Sequence, residues 1–405
     1  MSHTAVASSH PSVLFTFLGR TAKDKSGGYP KTSYLYAGKQ LPKLAFVGWT
    51  LAEQLAVDRV VVLGTSGSMW EHLLEVDIEL GNQFEDQRVA LIDAVERKAV
   101  DTAMLRPLEA LLSDSKGYRV ELQIVPYANT PAEQIALVAQ IADNVASGEL
   151  AHLDVTHGFR HLPMVALLAL LQLRIVKRIK PGKVLYGAFD PDNGAGHIHD
   201  LGGLLHIGDW FAALSTHQKD GDYGVFAPLL QADGLPDKAA DELKRAAFYE
   251  RTLDSDQARR HLRTVRQPLR DLNAGLSVLF RDRLLEEFAW VDSPQDHQRQ
   301  FRQARRCVEV GDYLRAIVLA FEASISKACY ALGKNPGQPD ARKYALERMQ
   351  ALNPEPEPFR DLRKKRNALA HGERDAKLFR DDDDARKQLF KLIDKVEKFD
   401  LPRVL

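Results

Sequence analysis

The sequence predicts an α/β domain built on a mostly parallel sheet, followed by an all-α C-terminal half. Three observations predict it. Up to about residue 200, short β-branched runs alternate with helical stretches. Those runs are apolar along nearly their whole length, as strands covered on both faces must be. Beyond residue 200 the strand signals stop and helical periodicity takes over.

In chain order, residues 13–19 (VLFTFLG) read as a buried strand closed by glycine, and Tyr34–Tyr36 as a small edge strand. Arg59–Gly64 (RVVVLG) is the clearest strand and runs into a polar turn and an amphipathic stretch from Met69. Residues 118–127, 152–156 and 184–189 complete the set. Helical patterns lie between them at about 44–56, 86–113, 131–147 and 161–178. Thr130 followed by Pro131 and Glu133 is a capped helix start with proline at the first helical position. In the second half, 201–214, 238–253, 256–288, 298–332, 341–352, 358–371 and 384–399 read as helices. Gly311-Asp312 notches the long one, and 334–339 and 353–358 punctuate the rest.

The 405 residues carry 55 Lys+Arg against 55 Asp+Glu and are 45% hydrophobic, the composition of a soluble globular protein of two or three domains. Neutrality excludes a uniformly basic nucleic-acid binder but not a local patch. Residues 301–405 sum to about +6, so the first three hundred sum to about −6. Cys307 and Cys329 are too few for a disulfide framework and lack CxxC spacing, which predicts a reducing compartment and no cysteine-ligated zinc. The longest apolar stretch, around 162–176, contains Gln172 and Arg174 and is short for a membrane span. Residues 1–11 show no basic segment running into an apolar one, so no secretory signal is expected. The chain reads as cytoplasmic, with no membrane partner.

Parallel sheets bind ligands where loops leave the carboxyl ends of their strands. Two such loops are polar. Gly64-Thr65-Ser66-Gly67-Ser68 follows the best strand: three hydroxyls, a glycine that permits close backbone approach, and the N–H groups of a helix start suit a phosphate. The pattern is neither GxGxxG nor a P-loop, which argues against dinucleotide redox and ATP hydrolysis. The plainer reading is a well-capped turn. Residues 154–160 (DVTHGFR) form the second loop, where Thr156 and His157 end a strand, Gly158 allows a tight turn and Arg160 can pair with phosphate through two parallel hydrogen bonds. His157 reads either as structural or as a site residue. His197, His199 and His206 suggest either a metal cluster or a His-containing turn; without converging carboxylates the turn is expected, and no metal site.

In the basic half, residues 363–372 (RKKRNALAHG) end a helix with glycine as its C-terminal cap. Asn367 and His371 are four apart and share a face; Arg363 sits one turn earlier, and Arg366 lies about 140° round from His371 with a side chain long enough to reach back. Cleaving RNA without metal needs a base for the 2′-hydroxyl, stabilisation of the phosphorane charge and an acid for the leaving oxygen. One His and one Arg are too few; a two-fold axis through this helix supplies two of each. The cluster also reads as a solvated helix face, with His371 complementing the helix dipole.

Together the runs VVVLGTSGS and DVTHGFRHLP resemble the two ligand loops of the Rossmann-like sensor domain in the CRISPR-associated CARF–HEPN ribonucleases of type III systems. Gly311-Asp312 with the run YLRAI, and Phe321-Glu322-Ala323, are similar to the opening helix of a HEPN domain, and Arg366-Asn367 through His371 is similar to its R-x4-6-H signature. The resemblance implies a Rossmann-like CARF domain over 1–208, a helical connector over 209–297 and a HEPN ribonuclease domain over 298–405. It implies a homodimer or higher homo-oligomer in which two sensor domains bind one cyclic oligoadenylate, with the tetra-adenylate favoured, and two HEPN domains form a metal-independent endoribonuclease for single-stranded RNA in antiviral defence. No cofactor beyond that activator is expected. Thr65, Ser66, Gly67, Ser68, Thr156, His157, Gly158 and Arg160 then line the ligand. His371 handles protons, Arg366 stabilises phosphate charge, Asn367 orients His371 or substrate, and Glu322 braces Arg366. The alternatives are a non-catalytic cyclic-nucleotide sensor whose basic helical domain binds RNA or a partner, and a nucleotide-dependent α/β enzyme whose helical half only dimerises.

Overall fold

The run Ser12–Leu18, apolar except for Ser12 and Thr16, forms β1, buried along its whole length, and the sheet is built outward from it. The computed structural model describes residues 11–23, 28–75, 84–190, 195–352, 354–372 and 378–401, in two units, Met1–His206 and Ile207–Leu405.

In the first unit the strands are β1, β2 (Tyr34–Tyr36), β3 (Lys39–Gln40), β4 (Arg59–Gly64), β5 (Arg119–Ile124), β6 (Leu150–Asp154), β7 (Lys180–Asp190) and β8 (Ala195–Asp200), in the order β3-β2-β8-β7-β6-β1-β4-β5. β1 pairs in parallel with β4 on one side and β6 on the other; β4–β5, β6–β7 and β2–β8 are also parallel, while β7–β8 and β2–β3 are antiparallel. The chain therefore leaves β1 towards both sides of the sheet, which opens a crevice at the carboxyl ends of β1, β4 and β6. Helices α1 (Gly48–Leu55), α2 (His72–Glu75), α3 (Glu85–Glu96), α4 (Thr102–Lys116), α5 (Pro131–Asp143) and α6 (His161–Val176) flank it. Leu14, Val60, Val62 and Leu122 face a core shared with α1, α3 and α4, and the alternate residues Val13, Phe15, Val61 and Leu63 face one shared with α5 and α6. Both faces are covered, as the continuous apolar runs require.

Several expectations change. Tyr34–Tyr36 is not at the edge, because β3 pairs outside it. The helix expected over 86–113 is two, divided where Lys98 takes φ 54° and Asp101 caps α4 by accepting from Met104 N at 3.0 Å. His197 and His199 lie on β8, a strand whose sequence AGHIHD has no apolar run to announce it. Among the described residues no three His, Cys, Asp or Glu side chains are grouped to hold a metal, and no helix is long and apolar enough to cross a membrane.

Helix α7 (Gly203–Asp220) carries the chain into the second unit. There α8 (Ala227–Ala232), α9 (Asp237–Arg251), α10 (Ser255–Arg270) and α11 (Arg281–Glu287) surround a core containing Trp210, Tyr223, Phe226 and Phe288. Helices α12 (Asp296–Glu309), α13 (Tyr313–Ala331), α14 (Pro339–Gln350), α15 (Glu357–His371) and α16 (Asp382–Lys398) surround another containing Phe301, Ile317, Phe321, Phe359 and Leu389. The stretch 256–288 is broken after Arg270, with Pro268 in the last turn of α10 and Gly275 at φ 74° beyond it. The notch at Gly311 holds: φ is 77° there, and Asp312 caps α13 by accepting from Arg315 N at 2.9 Å.

Candidate functional site

Four loops meet at the carboxyl end of the sheet. A Cβ on Gly19, just past β1, would lie 2.7 Å from Gly158 N, so the loops after β1 and β6 touch through backbone alone. Met69 N donates to Gly19 O at 3.0 Å, bringing in the loop after β4. A Cβ on Gly67 would lie 2.9 Å from the Tyr127 hydroxyl and 3.0 Å from Lys98 Cγ, which joins the loop after β5. His161 Nε2 donates to the Tyr127 carbonyl at 2.7 Å, closing the circuit back to β6.

Within this frame the expected ligand residues divide into two kinds. Thr65 and Ser68 are buried and bond each other: Thr65 N donates to Ser68 Oγ at 2.9 Å, and Ser68 N to Thr65 O at 3.0 Å. The Trp70 indole donates to Thr65 O at 2.8 Å, fixing the turn from below. The helix expected after this turn begins with α2 at His72, four residues past Ser68. Thr156 Oγ1 accepts from Gly187 N at 2.8 Å. His157 Nε2 accepts from Val47 N at 3.2 Å, capping α1, and its ring packs beside Phe46. Burial, with the neighbouring His72, pushes the His157 pKa down despite Asp154, so the imidazole is neutral near pH 7. These four side chains build the loop walls.

The other residues are available. Ser66 is half-buried with a hydroxyl that has no partner among the described residues, and Gly158 exposes its backbone at φ 91°. Arg160 is exposed, without an ion pair among the described residues, at the start of α6. Four further residues contribute, of which Lys98, Tyr127 and Asp154 escaped the sequence reading. Lys98 is exposed beside Gly67, without an ion pair among the described residues. Phe159 is half exposed and packs on Tyr127 at 5.8 Å. Tyr127 has a buried hydroxyl without a hydrogen-bond partner among the described residues. Asp154, fully buried, accepts from Thr16 Oγ1 at 2.7 Å and from Thr156 N at 3.0 Å, and so ties the β6 loop to β1. A carboxylate at the very end of a parallel strand was the visible signal for the last.

The sheet-bearing unit can now be compared with known proteins. Residues 13–190 match the CARF domain of the CRISPR system endoribonuclease Csx1. Every expected ligand residue from Thr65 to Arg160 falls inside the CARF match, and residues 298–405 fall outside it. The CRISPR-associated protein MJ1674 of Methanocaldococcus jannaschii is 24% identical over 223 residues, covering 50% of this chain and 35% of that protein. The chain thus spans about a third of the length of the curated relative it matches. Among solved structures, Enterococcus italicus Csm6 bound to cyclic hexa-2′-fluoro-hexa-dAMP aligns over 95% of this chain and 94% of that one, with 10% identity and a TM-score of 0.38.

In the helical unit, Arg366, Asn367 and His371 lie on α15, which ends at Gly372 with φ 64°. The Arg366 guanidinium sits 4.5 Å from the centre of the Phe321 ring on α13, and Phe321 stacks on Phe359. Glu322 does not brace Arg366: it pairs with Arg342 of α14. Its neighbour Phe321 faces α15 instead, because adjacent residues on a helix point about 100° apart. Arg363 is held by Glu355 at 2.9 Å and Lys365 by Gln388 at 2.9 Å, so neither is free for a substrate on the Asn367 face. Asn367 is half-buried and His371 exposed, both without hydrogen-bond partners among the described residues.

Proposed function

We propose that the protein is a cyclic-oligoadenylate-activated, metal-independent endoribonuclease of type III CRISPR defence, cutting single-stranded RNA at a site shared by two copies of α15. The observation that carries the reading is an exposed His371, without a hydrogen-bond partner among the described residues, one turn from Asn367, with Arg366 held on Phe321, in a chain whose other unit matches a CARF domain. The match to a CRISPR endoribonuclease's sensor domain and the CRISPR-associated relative support the biological setting.

The chemistry requires both copies. One His371 takes the proton of a 2′-hydroxyl, whose oxygen attacks the adjacent phosphorus. The other His371 returns a proton to the departing 5′-oxygen, leaving a 2′,3′-cyclic phosphate and a 5′-hydroxyl. The two Arg366 guanidiniums stabilise the extra charge on the non-bridging oxygens, and Asn367 orients His371 or the substrate. In the sensor unit the activator's phosphates meet Arg160, Ser66 and the backbone around Gly67 and Gly158, with Lys98 at the rim. Pairing of two copies is supported by the outer face of α6: Met164, Leu168 and Ile175 lie within about 40° of one another and are 67%, 64% and 77% exposed. That apolar stripe runs on from Arg160, so a second copy seated on it faces the first across the ligand loops.

The experiment is RNA cleavage with and without cyclic tetra-adenylate, in wild type and His371→Ala. Activator-dependent cutting lost in the variant is expected; cutting that survives unchanged removes the catalytic assignment. The engagement of Arg363 by Glu355 and Lys365 by Gln388 leaves few cations beside His371 and favours a second reading, a sensor whose helical unit binds RNA or a partner without cutting it. Tight activator binding with no turnover in wild type would select it.

A further inference from the structure

Helix α10 (SDQARRHLRTVRQPLR) buries Ala258, Leu262, Val265 and Leu269. Arg259, Arg263, Arg266 and Arg270 follow one another at spacings of four, three and four, which keeps them within an arc of about 60° beside that buried face. Along the axis they rise by about 6, 4.5 and 6 Å, roughly one guanidinium per turn. The row is only partly neutralised. Arg259 donates to Val291 O at 2.9 Å, and Arg266 donates to both oxygens of Asp292 at 2.7 and 2.8 Å. Arg263 and Arg270 are exposed and without an ion pair among the described residues. Both still act on Asp292: the Arg266 hydrogen bond, then the charges of Arg266, Arg263 and Arg270, hold its carboxyl below the usual carboxylate range.

Asp292 also lines a cleft of about 370 Å³ with Gln298, Arg302 and Arg305. Arg305 is neutralised by Asp394 and Glu397, whereas Arg302 is exposed and unpaired among the described residues. Three uncommitted guanidiniums, of Arg263, Arg270 and Arg302, thus surround one partly exposed carboxylate.

We propose that the arginine row of α10, continued by Arg302, is a track for the phosphodiester backbone of single-stranded RNA. The cations of the row are all arginines, whose planar forks match phosphate oxygens two at a time. The row offers no apolar side chain to anchor a protein partner, which weighs against an acidic protein. It offers no aromatic platform either, so it grips backbone without reading bases. Only the choice of RNA over DNA rests on the ribonuclease reading.

The test measures affinity of the full chain for a 2′-O-methyl RNA oligonucleotide across a salt series; this probe lacks the attacking hydroxyl, so binding is read independently of cutting. Each phosphate contact contributes about 0.7 to the slope of log affinity against log salt for single strands. Arg263→Ala/Arg270→Ala is expected to lower the slope by about 1.4, and Arg263→Lys/Arg270→Lys to restore it. Arg260→Ala, exposed on the same helix but about 90° from the row's centre, is expected to leave the slope in place. His371→Ala is expected to bind with the full slope, which separates failure of the track from failure of the nuclease. A wild-type slope in the double alanine variant overturns the proposal. So does an Arg260→Ala loss equal to that of Arg263→Ala, or polyglutamate competing as well as RNA.

Discussion

Replacing Gly19 by alanine asks whether the loops after β1 and β6 must touch for the sensor unit to hold its shape. The cost is steric, since Gly19 is not in the left-handed region. Its Cβ would stand 2.7 Å from Gly158 N and 3.3 Å from Gly158 Cα, both backbone atoms. Gly158 cannot retreat, because its own Cβ position already lies 3.2 Å from Phe17 Cβ at φ +91°. The loops must therefore part by roughly 0.7 Å, an overpacking change that costs about 1–3 kcal/mol. Weakening of the Met69–Gly19 hydrogen bond adds about 0.5–1 kcal/mol. Urea unfolding of the full chain, with hydrogen exchange followed at 154–160, measures the effect. We expect a loss of about 2–4 kcal/mol in the unit's transition, faster exchange in that loop, and weaker binding of cyclic tetra-adenylate by tenfold or more. Gly148→Ala is the control: φ is +78° with nothing within 4 Å, so it reports backbone strain alone, about 1 kcal/mol. Wild-type unfolding and exchange in Gly19→Ala, or a larger cost in the control, would show that loop contact is not what organises the site.

Three other outcomes follow from specific contacts. Phe321→Leu removes the ring under Arg366, a cation–π contact of about 0.5–2 kcal/mol; RNA cleavage should fall roughly 2- to 30-fold in kcat with KM retained, and equal loss in both would refute transition-state positioning. His152 is buried, and burial, aided by Lys183 against Asp200, lowers its pKa from 6.5 to about 4. Above pH 6.5 both states are neutral; as pH falls towards 4 only the unfolded chain takes the proton, so about 3 kcal/mol of stability is lost across that window. Denaturant melts of wild type against His152→Gln should show that window flattened in the variant, and equal slopes would refute it. Met164→Glu/Leu168→Glu puts two charges on the exposed stripe of α6; sedimentation should then show monomers and activator-dependent cleavage should vanish, whereas an intact dimer would move the pairing face elsewhere.

The sheet was legible because buried parallel strands leave a direct mark. The residues of β1 and β4 are apolar almost throughout, and the chain folds them where that pattern requires. β8 and β3 left no mark, since AGHIHD and KQ form strands through hydrogen bonds to their neighbours rather than through burial. The two ligand loops were legible as positions, but not the division of labour within them. Hydroxyls in TSGS look equally fit for phosphate, yet only Ser66 is left without an internal partner. That distinction depends on which backbone N–H groups the turn leaves unpaired, a three-dimensional fact. Lys98 and Tyr127 were hidden for another reason: they come from loops after α3 and β5 and reach Gly67 only once the sheet has closed. In the helical unit the spacing of Asn367 and His371 was readable, while the exchange of Glu322 for Phe321 beneath Arg366 turns on which way α13 faces α15.

The division within the loops constrains how an activator could act. To carry a population from about 1:99 to 99:1, a ligand must favour one arrangement by about 10⁴-fold, ~5.5 kcal/mol. Thr65 and Ser68 add little to that difference, being paired with each other inside the turn, and Thr156 and His157, which accept from Gly187 N and Val47 N, keep only one donor each. Ser66, Lys98, Arg160 and the backbone at Gly158 are uncommitted among the described residues. A hydrogen bond to a charged group contributes about 1.5–3 kcal/mol, so a single Arg160 made only in the active arrangement falls short. Two of them, one from each copy closing on opposite sides of the same ring, reach about 3–6 kcal/mol. On the proposed reading symmetry serves twice: at α15, where in-line displacement puts the base and the acid on opposite sides of the phosphorus and so calls for two His371 copies, and at the sheet, where two Arg160 copies give the ring a larger differential affinity than one.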